Sequence, residues 1–169
     1  MIRSRCAGSI GFLLALVAAQ GQPQAPKAST PEERAKAVEV ARSLESDPLG
    51  KQAKDQRSWL VQWLIVVPDI SVKACSGLLG PVVGSKKNYA PELFTQTLAS
   101  AAAFVISNPD KAKDNVAVYM AGLEGALRAY QSILKVQPKA NWPFLDDLIE
   151  KRKKGELAEY VRQAATHCR

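Results

Sequence analysis

Apolar side chains recur at intervals of three and four residues along most of this chain, the spacing that places them on one face of an α-helix. The longest stripe runs from Asp110 to Val136, and prolines stand near the ends of most of the others. The first stripe follows Thr30-Pro31-Glu32-Glu33, which has the form of a capping box. No two segments have the pattern of strands joined by a tight turn. The sequence predicts an all-α, compact, bundle-like domain of six or seven helices.

Proline, aspartate and glycine set the expected helix boundaries. Asp47-Pro48 repeats the cap-then-proline signal and predicts the start of the second helix, which Pro68 ends. Asp69 is expected to cap a brief helix around Cys75, ahead of a glycine-rich loop. The later helices are expected to begin at Pro91, at Asp110, at Pro143 and just after Gly155.

Gly122 and Gly125 lie inside the longest predicted helix, where glycine costs about 1 kcal/mol relative to alanine. We interpret them as the place where a second helix approaches closely. Gly125→Leu is therefore expected to clash with that neighbour, whereas a small side chain would improve the helix.

The N-terminal segment has the order of a secretory signal. Two arginines precede a short apolar run from Ile10 to Ala19, and small residues end that run. An apolar run of about ten residues has half the length that spans a bilayer, so we interpret it as part of a signal peptide that is removed by cleavage. The Pro- and Gln-rich stretch that follows has no hydrophobic period. The sequence therefore predicts a signal peptide at 1–19, a disordered tether at 20–29 and one helical domain at 30–169.

The predicted export bears on the oxidation state expected for the cysteines. Cys6 lies ahead of the apolar run and leaves with the signal, so Cys75 and Cys168 remain. In an oxidising compartment such a pair most simply forms one disulfide. The predicted location is periplasmic or extracellular, and no transmembrane segment is expected after cleavage.

The charge is modestly basic. The chain has a net charge of +7, and removal of Arg3 and Arg5 with the signal leaves +5. Nucleic-acid binding needs a basic stripe, usually with stacking aromatic residues, and the sequence has neither, so no nucleic-acid partner is predicted.

Few residues of this chain suit catalysis. Its one histidine, His167, lies beside Cys168 near the chain end, so neither a nucleophilic triad nor a metal centre is expected, and no cofactor motif is present. Acid–base chemistry by carboxylates remains open. Glu124 is the acid of most interest because it lies beside an apolar face, where a structural ion pair is favoured over a catalytic role. The other candidate acids are Asp69, Glu92, Asp146 and Asp147.

Trp59 and Trp63 are four residues apart, so they are expected to stack on one face of the second helix. Such a pair is most often a core anchor, and the alternative is an exposed ridge that binds a partner. Trp59, Trp63 and Glu124 are the candidate partner-binding residues.

Two parts of the chain resemble known families. Residues 126–138, with Ala126, Tyr130 and Pro138 at matching intervals, look like the second helix of a tetratricopeptide repeat, which would imply a helical scaffold. The helix, Asn108-Pro109-Asp110 break and following helix are similar to the Tai/Rap group of exported type VI secretion immunity proteins, where His and Glu flank the proline. That resemblance implies a disulfide-bonded, all-helical periplasmic protein that neutralises a toxin enzyme by binding it.

The leading hypothesis is an exported, non-catalytic protein-binding domain that acts as an inhibitor or immunity protein or in envelope-stress protection. The alternatives are a carboxylate-dependent hydrolase of the envelope and a helical-repeat-like scaffold. A deep pocket in which Glu124 or Asp69 faces a second acid would favour the enzyme, whereas an exposed apolar patch would favour the binder.

Overall fold

The computed structural model describes residues 27–168, and within that range it contains six α-helices and no β-strand. The helices are α1 (Pro31–Ser46), α2 (Ala53–Val66), α3 (Ala90–Ser107), α4 (Asn115–Val136), α5 (Pro143–Lys153) and α6 (Leu157–Ala165). Short 3₁₀ turns occupy Ser76–Leu78, Gly80–Val82 and Pro109–Lys111. The predicted all-α class is confirmed. The predicted signal peptide and most of the tether lie outside the described residues.

Helices α3 and α4 pack against each other as the central pair of the domain. On one side, α1 and α2 enclose a core with α3 that is built around Leu44, Leu60 and Trp63. On the other side, α5 and α6 cover α4 over a larger core that includes Leu127 and Tyr130. The Tyr130 that resembles a tetratricopeptide position is therefore a fully buried core residue.

The close helix crossing predicted at Gly122 and Gly125 is confirmed. A methyl group built at Gly122 would lie 2.7 Å from the backbone oxygen of Thr97 on α3. At Gly125 it would overlap the hydroxyl of Ser100, and it would lie 2.6 Å from Glu45 Oε1. Even a methyl group does not fit at either glycine unless a neighbour shifts, and at Gly122 the atom in the way belongs to the backbone, so the expected gain from a small side chain is opposed at both positions.

Three predicted helix boundaries are wrong. The second helix starts at Ala53 because Asp47 instead ends α1, where its N–H donates to the Ser43 carbonyl, and turns fill the gap. Asp69 caps no helix, and the segment that reaches Cys75 is not helical. The longest helix begins after Asp114, whose side chain accepts from the Ala117 N–H at 3.1 Å.

Cys75 and Cys168 form the predicted disulfide, with their Cα atoms 5.1 Å apart. The bond joins the segment after α2 to the residues that follow α6 across 93 positions. Tyr160 of α6 supports the same junction, since its hydroxyl lies 3.0 Å from the carbonyl oxygens of both Gly77 and Leu78.

The fold includes Ser29, a residue that lies before the predicted domain boundary. Ser29, assigned to the tether by the sequence, is buried, and its N–H and hydroxyl donate to the Asp69 carboxylate at 2.8 and 2.7 Å. Arg34 of α1 donates to the same carboxylate at 2.6 Å. Asp69 thus joins the start of α1 to the segment that follows α2.

Candidate functional site

The two tryptophans of α2 stack as predicted, with ring centroids 5.8 Å apart and planes 13° from parallel. Trp63 is 6% exposed and belongs to the α1–α2–α3 core, so a partner at the surface does not reach it. Its indole N–H finds no acceptor among the described residues. Trp59 is only half-buried, and the Lys36 ammonium of α1 lies 4.2 Å from its ring centroid, within cation–π distance.

The last turn of α2 carries apolar side chains on its outer face. Ile65 is 77% exposed and Val66 is 62% exposed. Val61 lies one turn before Ile65 and is half-buried. We call these three residues the α2 ridge. Exposed apolar groups that adjoin one another mark interaction surfaces more often than single exposed side chains do.

A groove of about 460 Å³ runs beside the α2 ridge, between α2 and the first turns of α3. Val61 and Arg57 line it from α2, and Pro91, Glu92 and Thr95 line it from α3. We call it the α2–α3 groove. Of the predicted acids, Glu92 is the one that lies here.

Glu124 lies elsewhere, among charged groups that connect three helices. Its carboxylate is 3.4 Å from Arg128 Nη1 and 3.6 Å from Arg152 Nη1 of α5. Arg128 also donates to both carboxylate oxygens of Glu45 on α1, at 2.8 and 3.0 Å. These bonds raise the pKa of Arg128, although partial burial opposes them. Glu124 is therefore part of an ion-pair network, the role that the sequence favoured.

The network continues into the interior at Glu45. The Ser100 hydroxyl donates to Glu45 Oε1 at 2.7 Å and accepts from Gln96 Nε2 at 2.9 Å. The amide of Gln96 also donates to the Ala41 carbonyl at 3.0 Å. Two buried polar side chains of α3 are thereby satisfied, as buried polar groups must be for the fold to tolerate them.

Glu45 and Glu124 line one shallow groove of about 320 Å³, with Arg128 between them. The guanidinium bridges both carboxylates, so each acid has a charge partner and neither faces the other across an empty pocket. Arg128 is about half exposed, so this bridge contributes on the order of 1 kcal/mol at most.

The remaining predicted acids have separate environments. Asp146 accepts from the buried Tyr130 hydroxyl at 2.8 Å, and the same hydroxyl accepts from the Trp142 N–H at 2.8 Å. Burial raises the pKa of Tyr130 to about 12, and the bond to Asp146 acts in the same direction. Asp147 lies 3.5 Å from Lys151 at the surface, and His167 is exposed.

Residues 27–168 contain no helix long and apolar enough to cross a membrane. In that same range, no three His, Cys, Asp or Glu side chains are grouped so that they could hold a metal ion.

The α2 ridge was missed by the sequence analysis, although a signal for it exists. Trp63 to Val67 is an unbroken apolar run just before Pro68, and a helix cannot bury every side chain of five consecutive residues. Some of these side chains must then point outward. The contact between Glu45 and Arg128 leaves no pattern in the sequence that could have predicted it, because 83 residues separate the two.

Comparison of the chain with protein-family models, with curated proteins and with solved structures gives no match.

Proposed function

We propose that this chain is an exported domain that acts by binding another protein through the α2 ridge. The observation that carries the proposal is the exposure of two adjacent aliphatic side chains, Ile65 and Val66, on the outer face of a helix that buries Leu60 and Trp63 on its inner face. Burial of one such side chain against a partner contributes about 1.5–3 kcal/mol. Half-buried Trp59 lies on the same helix and offers an aromatic contact.

Export is the part of the proposal that rests on the sequence and on the disulfide. Residues 1–19 have the pattern of a signal peptide, and disulfides persist mainly in oxidising compartments. The resemblance around Asn108-Pro109-Asp110 to Tai/Rap proteins supports inhibition of a partner enzyme as the form of binding. Envelope-stress protection is the other form consistent with these features.

A carboxylate-dependent hydrolase is the second candidate, because Glu45 and Glu124 line one groove. The two functions differ in what one amide substitution does. General acid–base catalysis contributes about 10²–10⁴-fold to a rate, so Glu124→Gln would remove most of a hydrolytic activity. A binding surface on α2 would keep its affinity after the same change.

The test is capture of envelope proteins on the immobilised mature chain, with identification by mass spectrometry and measurement of affinity for the protein captured. We expect the double variant Ile65→Ser with Val66→Ser to lose affinity more than tenfold, since about 3 kcal/mol of apolar burial is removed. Val136→Ser is the matched control, because Val136 is 64% exposed at the end of α4.

The acid variants complete the experiment. Glu124→Gln, Asp69→Asn, Asp146→Asn and Asp147→Asn are expected to leave affinity unchanged wherever the melting temperature shows a folded protein. If no protein is captured specifically while one of these variants abolishes an envelope-hydrolysing activity, the proposal is wrong.

A further inference from the structure

Two grooves meet at the first turn of α3. The α2–α3 groove is lined by Pro91 and Glu92, and the same two residues line a second groove of about 480 Å³. That second groove also holds Lys86, which precedes α3, and Lys139, which follows α4. Pro91 and Glu92 line both grooves, so the two grooves adjoin at the start of α3. We call the adjoining pair the α3 channel.

Positive charge dominates the α3 channel. Lys54 and Arg57 line one arm, Lys86 and Lys139 line the other, and Glu92 is the one acid among the lining residues. Within residues 27–168, no carboxylate lies within 4.0 Å of any of these four cations. The N-terminal end of α3 adds positive potential at the junction of the two arms.

Arg57 is the cation best placed to favour a bound anion. It is half-buried, and its Nη1 donates to the Pro48 carbonyl at 2.8 Å. Burial lowers the pKa of Arg57, and nearby Glu92 opposes that shift. A guanidinium that has lost part of its water gains more from a carboxylate than a fully solvated lysine does, because the local dielectric is lower.

Apolar groups and Glu92 line the α3 channel together with the cations, and this mixture selects among anionic partners. Val61 and Pro91 lie in the first arm, and Tyr89 lies in the second. A nucleic acid would bring a phosphate against Glu92, since its charges repeat along the whole backbone. A polypeptide can instead place carboxylates opposite the cations and apolar side chains opposite Val61 and Pro91.

We infer that the α3 channel binds an acidic segment of a protein partner in which carboxylates alternate with apolar side chains. The α2 ridge borders this channel through Val61, so one partner can cover both. The inference rests on the proposed binding function and adds the chemistry of the partner to it.

The test uses the mature protein with its disulfide intact and a short fluorescein-labelled peptide in which glutamate alternates with leucine. Fluorescence anisotropy should show binding that weakens as salt is raised. A peptide with glutamine in place of glutamate should not bind. The double variant Lys54→Gln with Lys139→Gln removes one exposed cation from each arm, and we expect it to weaken binding about tenfold.

Lys111→Gln with Lys113→Gln is the matched control, because it removes the same charge from the α3–α4 connection. We expect this variant to bind within twofold of the wild type. If both double variants lost the same affinity for the glutamate peptide, net charge alone would explain the loss. That result would overturn the inference. Failure of the wild type to bind the glutamate peptide would overturn it as well.

Two further outcomes separate this inference from its premise. The wild type could bind an oligothymidine more tightly than the peptide and lose that binding in the Lys54 and Lys139 variant. The ligand of the α3 channel would then be a nucleic acid and not an acidic segment. If the α2 ridge variants abolish capture of a protein while the lysine variants change neither capture nor peptide binding, the channel assignment fails and the binding function stands.

Discussion

Asp69 shows how one side chain can hold two distant parts of a chain together. Its carboxylate accepts from the N–H and hydroxyl of Ser29 and from Arg34. The backbone and hydroxyl bonds from Ser29, followed by the Arg34 contact, lower the pKa of Asp69 from 3.8 to about 2. The ionised form is therefore the one that the folded state stabilises.

We expect this carboxylate to make stability depend on acid. Because the folded pKa is below the unfolded one, the contribution of Asp69 is fully present above pH 3.8 and is lost as the pH falls through about 2. The melting temperatures of wild type and Asp69→Asn should therefore differ at neutral pH and converge near pH 2. An NMR titration of the Asp69 carboxyl carbon with a midpoint at the unfolded value would contradict this.

Single side chains were predictable to different degrees. The ion-pair role of Glu124 follows from its place beside an apolar stripe, but its partner Arg152 depends on how α5 docks. The expected cap at Asp69 was wrong because the Ser29 and Arg34 donors were reachable only through the tertiary fold. Stacking of Trp59 on Trp63 follows from their spacing, whereas which of them is buried depends on where α1 and α3 pack.

α3 and α4 cross closely at Gly122, where an added methyl group would lie 2.7 Å from the Thr97 backbone oxygen. Gly122→Ala should gain about 1 kcal/mol of helix propensity but push the Thr97 carbonyl away, at a cost of about 1–3 kcal/mol. We expect a net loss of about 1 kcal/mol in the free energy of unfolding, measured with urea.

Gly77→Ala is the control for that measurement. A methyl group there would meet its nearest atom, the Ala164 backbone oxygen, at 3.5 Å, which is ordinary contact. Its stability should stay within about 0.5 kcal/mol of the wild type. Equal stability of the two alanine variants would show that α3 and α4 can separate freely at Gly122.

Helices were easier to predict than their first residues. The α3 and α5 starts were found because proline at the first turn is a local signal. Asp47-Pro48 carries the same signal and begins no helix, since Asp47 is used to end α1. Asp110 lies in a 3₁₀ turn, and Asp114 caps α4 in its place.

The disulfide bears on the stability of the whole domain. Cys75 and Cys168 are 93 residues apart, and a loop of that length implies about 4–5 kcal/mol of stabilisation in the chain-entropy model. The double variant Cys75→Ser with Cys168→Ser should lose that amount in urea unfolding. It should also be insensitive to reductant, whereas the wild type should fall to the same level when reduced. Two alkylatable thiols in the native, unreduced protein would contradict the bond.

The all-α class, the helix count and the cysteine pairing were predictable because each depends on local periodicity or on elimination. The surface that we propose for binding was not identified from the sequence, because the exposure of a side chain depends on which helices pack against its own helix. The α2 ridge and the α3 channel exist because α2 leaves its outer face uncovered beside the start of α3.

The Cys75–Cys168 bond also decides how a pulling force passes through the molecule. It closes residues 75–168 into a covalent ring that contains α3 to α6, so the shortest bonded path from Ser29 to Cys168 crosses the two sulfur atoms. Tension between the two ends can draw out only the chain up to Cys75, to a length of about 170 Å. That portion contains α1 and α2. Traction on the domain therefore unfolds α2, the helix that carries the α2 ridge, while the ring bears no load.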